Sequence, residues 1–171
     1  MIPIQMVHGL GRAKNAVQDY LIHKLLFPKI YLDTEFNGSK VDVLAIDRAG
    51  AGDVHAVGIV YQGTDAEVAL ATVIANIRPP SPARVIPHFV YAAVVNNGPG
   101  ASKFVPSEQI IQHSFAEDGV GRIGILYVDL TDDDPAVSVI LKAERFRSSK
   151  EIVELADRFV AEHTPNWEAR D

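Results

Sequence analysis

The chain has 171 residues, 47% hydrophobic and 22% charged, with 22 acidic against 16 basic side chains and a formal net charge of −6. That composition suits a globular domain and excludes a chain disordered throughout, and the lack of any cysteine excludes a disulfide scaffold, a thiol nucleophile and thiolate metal sites. The acidic balance speaks against a broad nucleic-acid-coating surface.

The first residues carry no basic, apolar leader, and no apolar run approaches the ~20 residues of a membrane span. A cytoplasmic, single-domain protein over 1–171 with no membrane partner is expected.

In chain order, the first element is a helix over 12–27. Ala13, Ala16, Val17, Tyr20, Leu21 and Leu25 recur at spacings of three and four and form one apolar stripe. Pro28 ends it, because proline lacks the N–H and disfavours helical geometry in the residue before it. Gly9 and Gly11 read as a flexible entry. A hairpin follows, 29–36 and 39–48, about Asn37-Gly38, a dipeptide that supplies the two positive φ angles of a type I′ turn. A Gly/Ala loop leads to a third strand over 54–61. Thr64 with Glu67 makes a capping box for a second helix over 65–77, which Pro79, Pro80 and Pro82 close. A fourth strand spans 88–95, broken by Asn96-Asn97-Gly98-Pro99-Gly100.

The rest reads as a short helix over 107–115, then strands over 123–130 and 136–146 joined through Asp132-Asp133-Asp134-Pro135. A last helix starts at Ser148, with Glu151 as its capping-box partner, and ends before Pro165. The tail from Asn166 to Asp171 reads as loosely held. This order predicts an α/β fold: a three-layer sandwich with a central mixed β-sheet and helices on both faces.

Several motifs are structural on their context. Gly119-Val120-Gly121-Arg122-Ile123-Gly124 fits G-x-G-x-x-G, yet it opens a strand where a dinucleotide site needs a helix. The six histidines are scattered, and no two have the i, i+4 spacing of a helical zinc site. His55 and His88 alone lie on or beside central strands. The Asp132–Asp134 run lacks the glycine and distal glutamate of a calcium loop and reads as a solvated turn. Neither a serine-nucleophile elbow nor a P-loop occurs.

The hairpin holds the best constellation. A two-residue turn sets Phe36 opposite Ser39, Glu35 opposite Lys40 and Asp33 opposite Asp42. The last is a like-charge pair that needs a cation, a shared proton or a nearby basic side chain. Its functional reading is a carboxylate metal site with Asp42 central and Asp33 or Glu35 assisting.

The order helix, hairpin, third strand, helix, strand over about 12–95 resembles the core of the PD-(D/E)XK nuclease superfamily, the restriction-endonuclease-like fold. The strand Lys40-Val41-Asp42-Val43-Leu44-Ala45-Ile46 resembles the family's aspartate strand, with Asp42 at the metal-binding position. The strand Val54-His55-Ala56-Val57-Gly58-Ile59-Val60-Tyr61-Gln62 resembles its Glu-x-Lys strand, but Gly58 stands where glutamate belongs and Val60 where lysine belongs. Neither can hold a metal or move a proton. Gly58 also suits a bulge or a close backbone approach.

The resemblance therefore implies a degenerate, non-catalytic nuclease-like domain that acts in binding or assembly, with no cofactor. The alternatives are a Mg2+-dependent nuclease with a site rearranged around Asp42, with Gln62 or a lysine from elsewhere serving the water, and a small-ligand-binding α/β domain. Residues 1–48 carry a net charge of +1 and the remainder −7, so any nucleic-acid surface would be small and close to the first helix. The expected partner is another protein or a second copy of the chain. The part over 123–164, a hairpin and a helix, would extend or cover the sheet or form an interface between copies.

Overall fold

A computed structural model of the chain describes residues 4–26, 28–47, 52–61, 87–96, 106–113, 121–131, 133–147 and 150–169. Its elements are α1 (Ile4–Lys24), β1 (Pro28–Phe36), β2 (Ser39–Asp47), β3 (Asp53–Tyr61), β4 (Phe89–Asn96), α2 (Glu108–His113), β5 (Gly124–Asp129), β6 (Ala136–Leu141), α3 (Glu151–Glu162) and β7 (Trp167–Glu168). The helix expected over 65–77 lies outside the described residues.

The strands form one mixed sheet of seven in the order β6-β5-β4-β3-β2-β1-β7. β3, β4 and β5 run parallel to one another, and every other neighbouring pair is antiparallel. Alternation along the strands assigns the helices to the two faces. On one face Ile30, Val43, Ala45, Val57, Tyr91, Ala93 and Val95 pack under Ala13, Ala16, Val17 and Leu21 of α1. On the other, Tyr31, Leu44, Ile46, Val54 and Ala56 pack under Ile152, Ala156 and Phe159 of α3, and Val90, Ala92, Val94 and Ile125 under Ile110 of α2. The expected mixed sheet with helices on both faces is therefore present. In α3 the buried positions fall four and three residues apart, and full burial of Ile152 contributes roughly 1.5–3 kcal/mol.

Three sequence expectations need correction. α1 begins at Ile4, so Gly9 and Gly11 lie inside the helix. Glycine there weakens a helix by about 1 kcal/mol but leaves its backbone hydrogen bonds intact. α3 begins at Glu151 after Lys150, whose side chain makes no capping hydrogen bond; Ser148, the expected cap, lies outside the described residues. The tail is not loose up to residue 169. Asn166 donates its N–H to the Ile30 carbonyl at 2.7 Å, and its side-chain oxygen accepts the Leu32 N–H at 2.9 Å. β7 then pairs with Lys29 and Ile30.

The two edges of the sheet differ. β7 is two residues long and carries an ion pair, Lys29 to Glu168 at 3.6 Å. β6 is six residues long, Ala-Val-Ser-Val-Ile-Leu, with no charge. No strand among the described residues pairs with its outer side.

Gly121 and Gly124 of the G-x-G-x-x-G run serve packing. Residues 121–124 run beside 143–146, with Arg122 bridged to Glu144. A Cβ on Gly121, whose φ is +102°, would lie 2.7 Å from the Phe146 backbone, and one on Gly124 would lie 2.7 Å from the Ala143 Cβ. The run leads into β5 as a strand entry.

Candidate functional site

The site begins in the β1–β2 hairpin. Asn37 and Gly38 both have positive φ, and the register is the expected one, with Phe36 opposite Ser39 and Glu35 opposite Lys40. Asp33 and Asp42 are the exception. They occupy matching positions, yet neither joins the ladder, which passes from Leu32–Val43 directly to Thr34–Val41. Asp33 has a φ of +49°, a conformation that aspartate tolerates better than most side chains. This one residue resets the alternation of both strands. Before it, Leu32 and Val43 belong to the α1 face; beyond it, Phe36 and Val41 pack on the α3 face, with the Phe36 ring edge-on to Phe159 at 5.6 Å.

The break separates the fates of the two carboxylates. Asp33, exposed, is ion-paired to Lys14 of α1, a side chain only 13% exposed. Asp42, half-buried, turns the other way. Its Oδ2 accepts the backbone N–H of Ile59 at 2.7 Å, just past the last β2–β3 ladder pair, Val43–Val57. The carboxylate thus takes the place of a ladder carbonyl where β2 and β3 separate. Gly58 sits beside this contact, half-buried, and Val60 is apolar and 5% exposed.

This donor set does not fit a divalent cation. Among the described residues no group of three or more His, Asp or Glu side chains converges to hold one. The expected trio of Asp42, Asp33 and Glu35 is not gathered into such a group: Lys14 takes Asp33, Glu35 faces Lys40, and Asp42 accepts a backbone N–H. The like-charge conflict between Asp33 and Asp42 is relieved by a lysine and a backbone amide, which sequence pattern alone does not reveal.

The two central-strand histidines are core groups. His55 is 4% exposed, stacked on Phe89 at 4.6 Å, with Nδ1 3.3 Å from the Tyr91 hydroxyl. Burial pushes its pKa down from 6.5 to about 4, against smaller opposing contributions from Asp53 and Asp47. Burial also pushes the Tyr91 phenol up. His88 is 3% exposed, and its Nδ1 accepts the Val54 N–H at 2.9 Å. That nitrogen carries no proton, so the ring is neutral, and burial lowers its pKa as well. Asp53, 3.9 Å from the same nitrogen, instead pairs with Arg145 at 3.0 Å.

A second concave feature was not foreseen. An open groove of about 620 Å³ runs between α1 and the start of β6. Arg12, Asp19, Tyr20, His23 and Lys24 line one wall, Pro135 and Val137 the other. The Lys24 ammonium lies 5.5 Å from the Tyr20 ring centre and 5.4 Å from that of Tyr91. The sequence signal was faint: polar and basic residues, Arg12, Asp19 and His23, at helical spacing along the flank of the α1 apolar stripe.

No protein-family model matches the sequence, and no curated protein matches it. Among solved structures, the chain is similar to the SPO1766 protein of unknown function from Silicibacter pomeroyi, at 14% identity and a TM-score of 0.44, over 86% of this chain and 80% of that one. It is also similar to SfsA of Pyrococcus furiosus, solved in complex with Ca2+, at 14% identity and a TM-score of 0.42, over 81% of this chain and 63% of that one. The chain thus spans less than two thirds of SfsA. Likenesses of this degree fix neither a family nor a function. No helix among the described residues is long and apolar enough to cross a membrane.

Proposed function

We propose that this chain carries a restriction-endonuclease-like core whose phosphodiester-cleaving site has decayed, and that it acts through binding or assembly. The observation that supports this best is the use made of Asp42. Its carboxylate caps the Ile59 N–H at 2.7 Å, a structural task. Around it stand Gly58, with no side chain, and Val60, buried and apolar. Two-metal or one-metal hydrolysis needs converging carboxylates and a group to orient water, and Lys14, the lysine next to the hairpin, is engaged with Asp33.

The test is calorimetric titration of Mg2+ and Mn2+ into the protein and into Asp42→Ala, with DNA and RNA cleavage followed in parallel. The expected outcome is no metal-binding heat at millimolar metal and no cleavage. Binding that vanishes in Asp42→Ala, together with cleavage, would replace this reading by the rearranged Mg2+-dependent nuclease.

A further inference from the structure

We infer that the outer edge of β6, which no strand among the described residues pairs with, is a self-association site, on which a second copy of the chain pairs its own β6 antiparallel to extend the sheet. This goes beyond the reading above, and it stands or falls separately from the metal titration.

An outer strand presents a row of backbone N–H and C=O groups that can template another strand, and folded proteins blunt such edges with short strands, charges, proline or bulges. The β7 edge follows that rule, with two residues and an ion pair. The β6 edge follows it only in part. A register shift at Ile125/Leu126 bulges its far end, but Ala136–Val139 pair regularly with Asp129–Leu126. No charge or proline lies within Ala136–Leu141. Val139 is 46% exposed, and Ala136 and Ser138 are exposed as well. An apolar strand so open is a binding surface in search of a strand.

The occupant follows from charge and symmetry. An uncharged edge has nothing to select a partner of opposite sign. It also pairs with itself without placing like charges opposite each other. In a continuous sheet, the twofold axis relating two antiparallel copies is normal to the sheet and passes midway between a residue and the same residue of the other copy. With the axis at Val139, the exposed large apolar residue of the strand, the two Val139 side chains meet. That register sets β-branched side chains, which suit strands, opposite each other. The adjoining groove carries both signs, Arg12 and Lys24 with Asp19, so two copies brought together there meet no wall of one charge. A six-residue strand spans only ~20 Å, and its contact falls short of the ~1,000 Å² of a permanent interface. The dimer is therefore concentration-dependent.

Light scattering coupled to size exclusion, run over a concentration series, tests this with the whole chain. The wild type should rise from monomer mass towards twice that mass. Val139→Lys and Val139→Glu should each remain monomeric at every concentration, and an equimolar mixture of the two should recover the doubled mass. That recovery also shows both variants are folded. A wild type that stays monomeric throughout overturns the proposal and leaves the edge to a strand from a different protein. So does a Val139→Lys variant that dimerises like the wild type, and so does a mixture that remains monomeric.

Discussion

In the parallel middle of the sheet, every side chain from Val90 to Asn96 is buried. In the hairpin at its flank, Asp33 and Glu35 are exposed and Asp42 is half-buried. The middle is covered by helices on both faces and has no room for a charge without a partner. The hairpin accommodates two aspartates at matching positions because one residue with positive φ opens the ladder and sends each carboxylate to a different partner. A catalytic carboxylate cluster needs the opposite arrangement, with both groups converging. The contrast shows how a strand can keep an acidic residue while its chemistry is spent on holding the backbone together.

The comparison can be strained from either side. The largest effect belongs to the middle: Leu126→Ala, at a position 1% exposed, should cost about 2–5 kcal/mol from lost burial and the cavity left behind, read by urea unfolding. Next is acid. The unfolded chain takes up a proton on His55 near 6.5, whereas the folded chain does so only near 4. Stability is therefore full above pH 6.5 and falls between 6.5 and 4 by roughly 3 kcal/mol from this residue. Unfolding measured across that range should show the slope, and His55→Gln should flatten it.

In the hairpin, Asp42→Ala orphans the Ile59 N–H and should cost about 1–3 kcal/mol, a loss visible as faster hydrogen exchange at Ile59. The smallest effect is Asp33→Asn. It keeps a side chain that tolerates positive φ and removes only a partly exposed ion pair, so less than about 1 kcal/mol is expected. A loss at Asp33 matching that at Leu126 would mean that the hairpin and the middle are one cooperative unit resting on the Lys14 contact.

Much of the architecture was legible. Asn37-Gly38 set the hairpin and its register, because few dipeptides accept two positive φ angles. The stripe of α1 was read from spacing, and Ala13, Ala16, Val17 and Leu21 are buried as that stripe implies. What escaped depends on contacts far apart in sequence. Nothing near Asp33 marks its positive φ, which is held in concert with Lys14, nineteen residues away. β7 is too short to carry a period, and its pairing partner lies more than a hundred residues earlier. The candidate site was half visible for the same reason. Asp42 could be singled out as the acid set opposite Asp33 in the hairpin register, but the amide it serves belongs to another strand. The groove beside β6 exists only once α1 is laid over the sheet.

The last strand has an optical consequence. The sequence holds a single tryptophan, and it is Trp167, opposite Ile30 in β7 and half-buried against the α1 side of the core. Intrinsic emission therefore watches the seam at the sheet's margin, while circular dichroism watches the bulk of the strands and helices. A red shift that precedes the loss of ellipticity on titration with urea would time the detachment of that margin, and coincident curves would make the seam part of the same all-or-none transition.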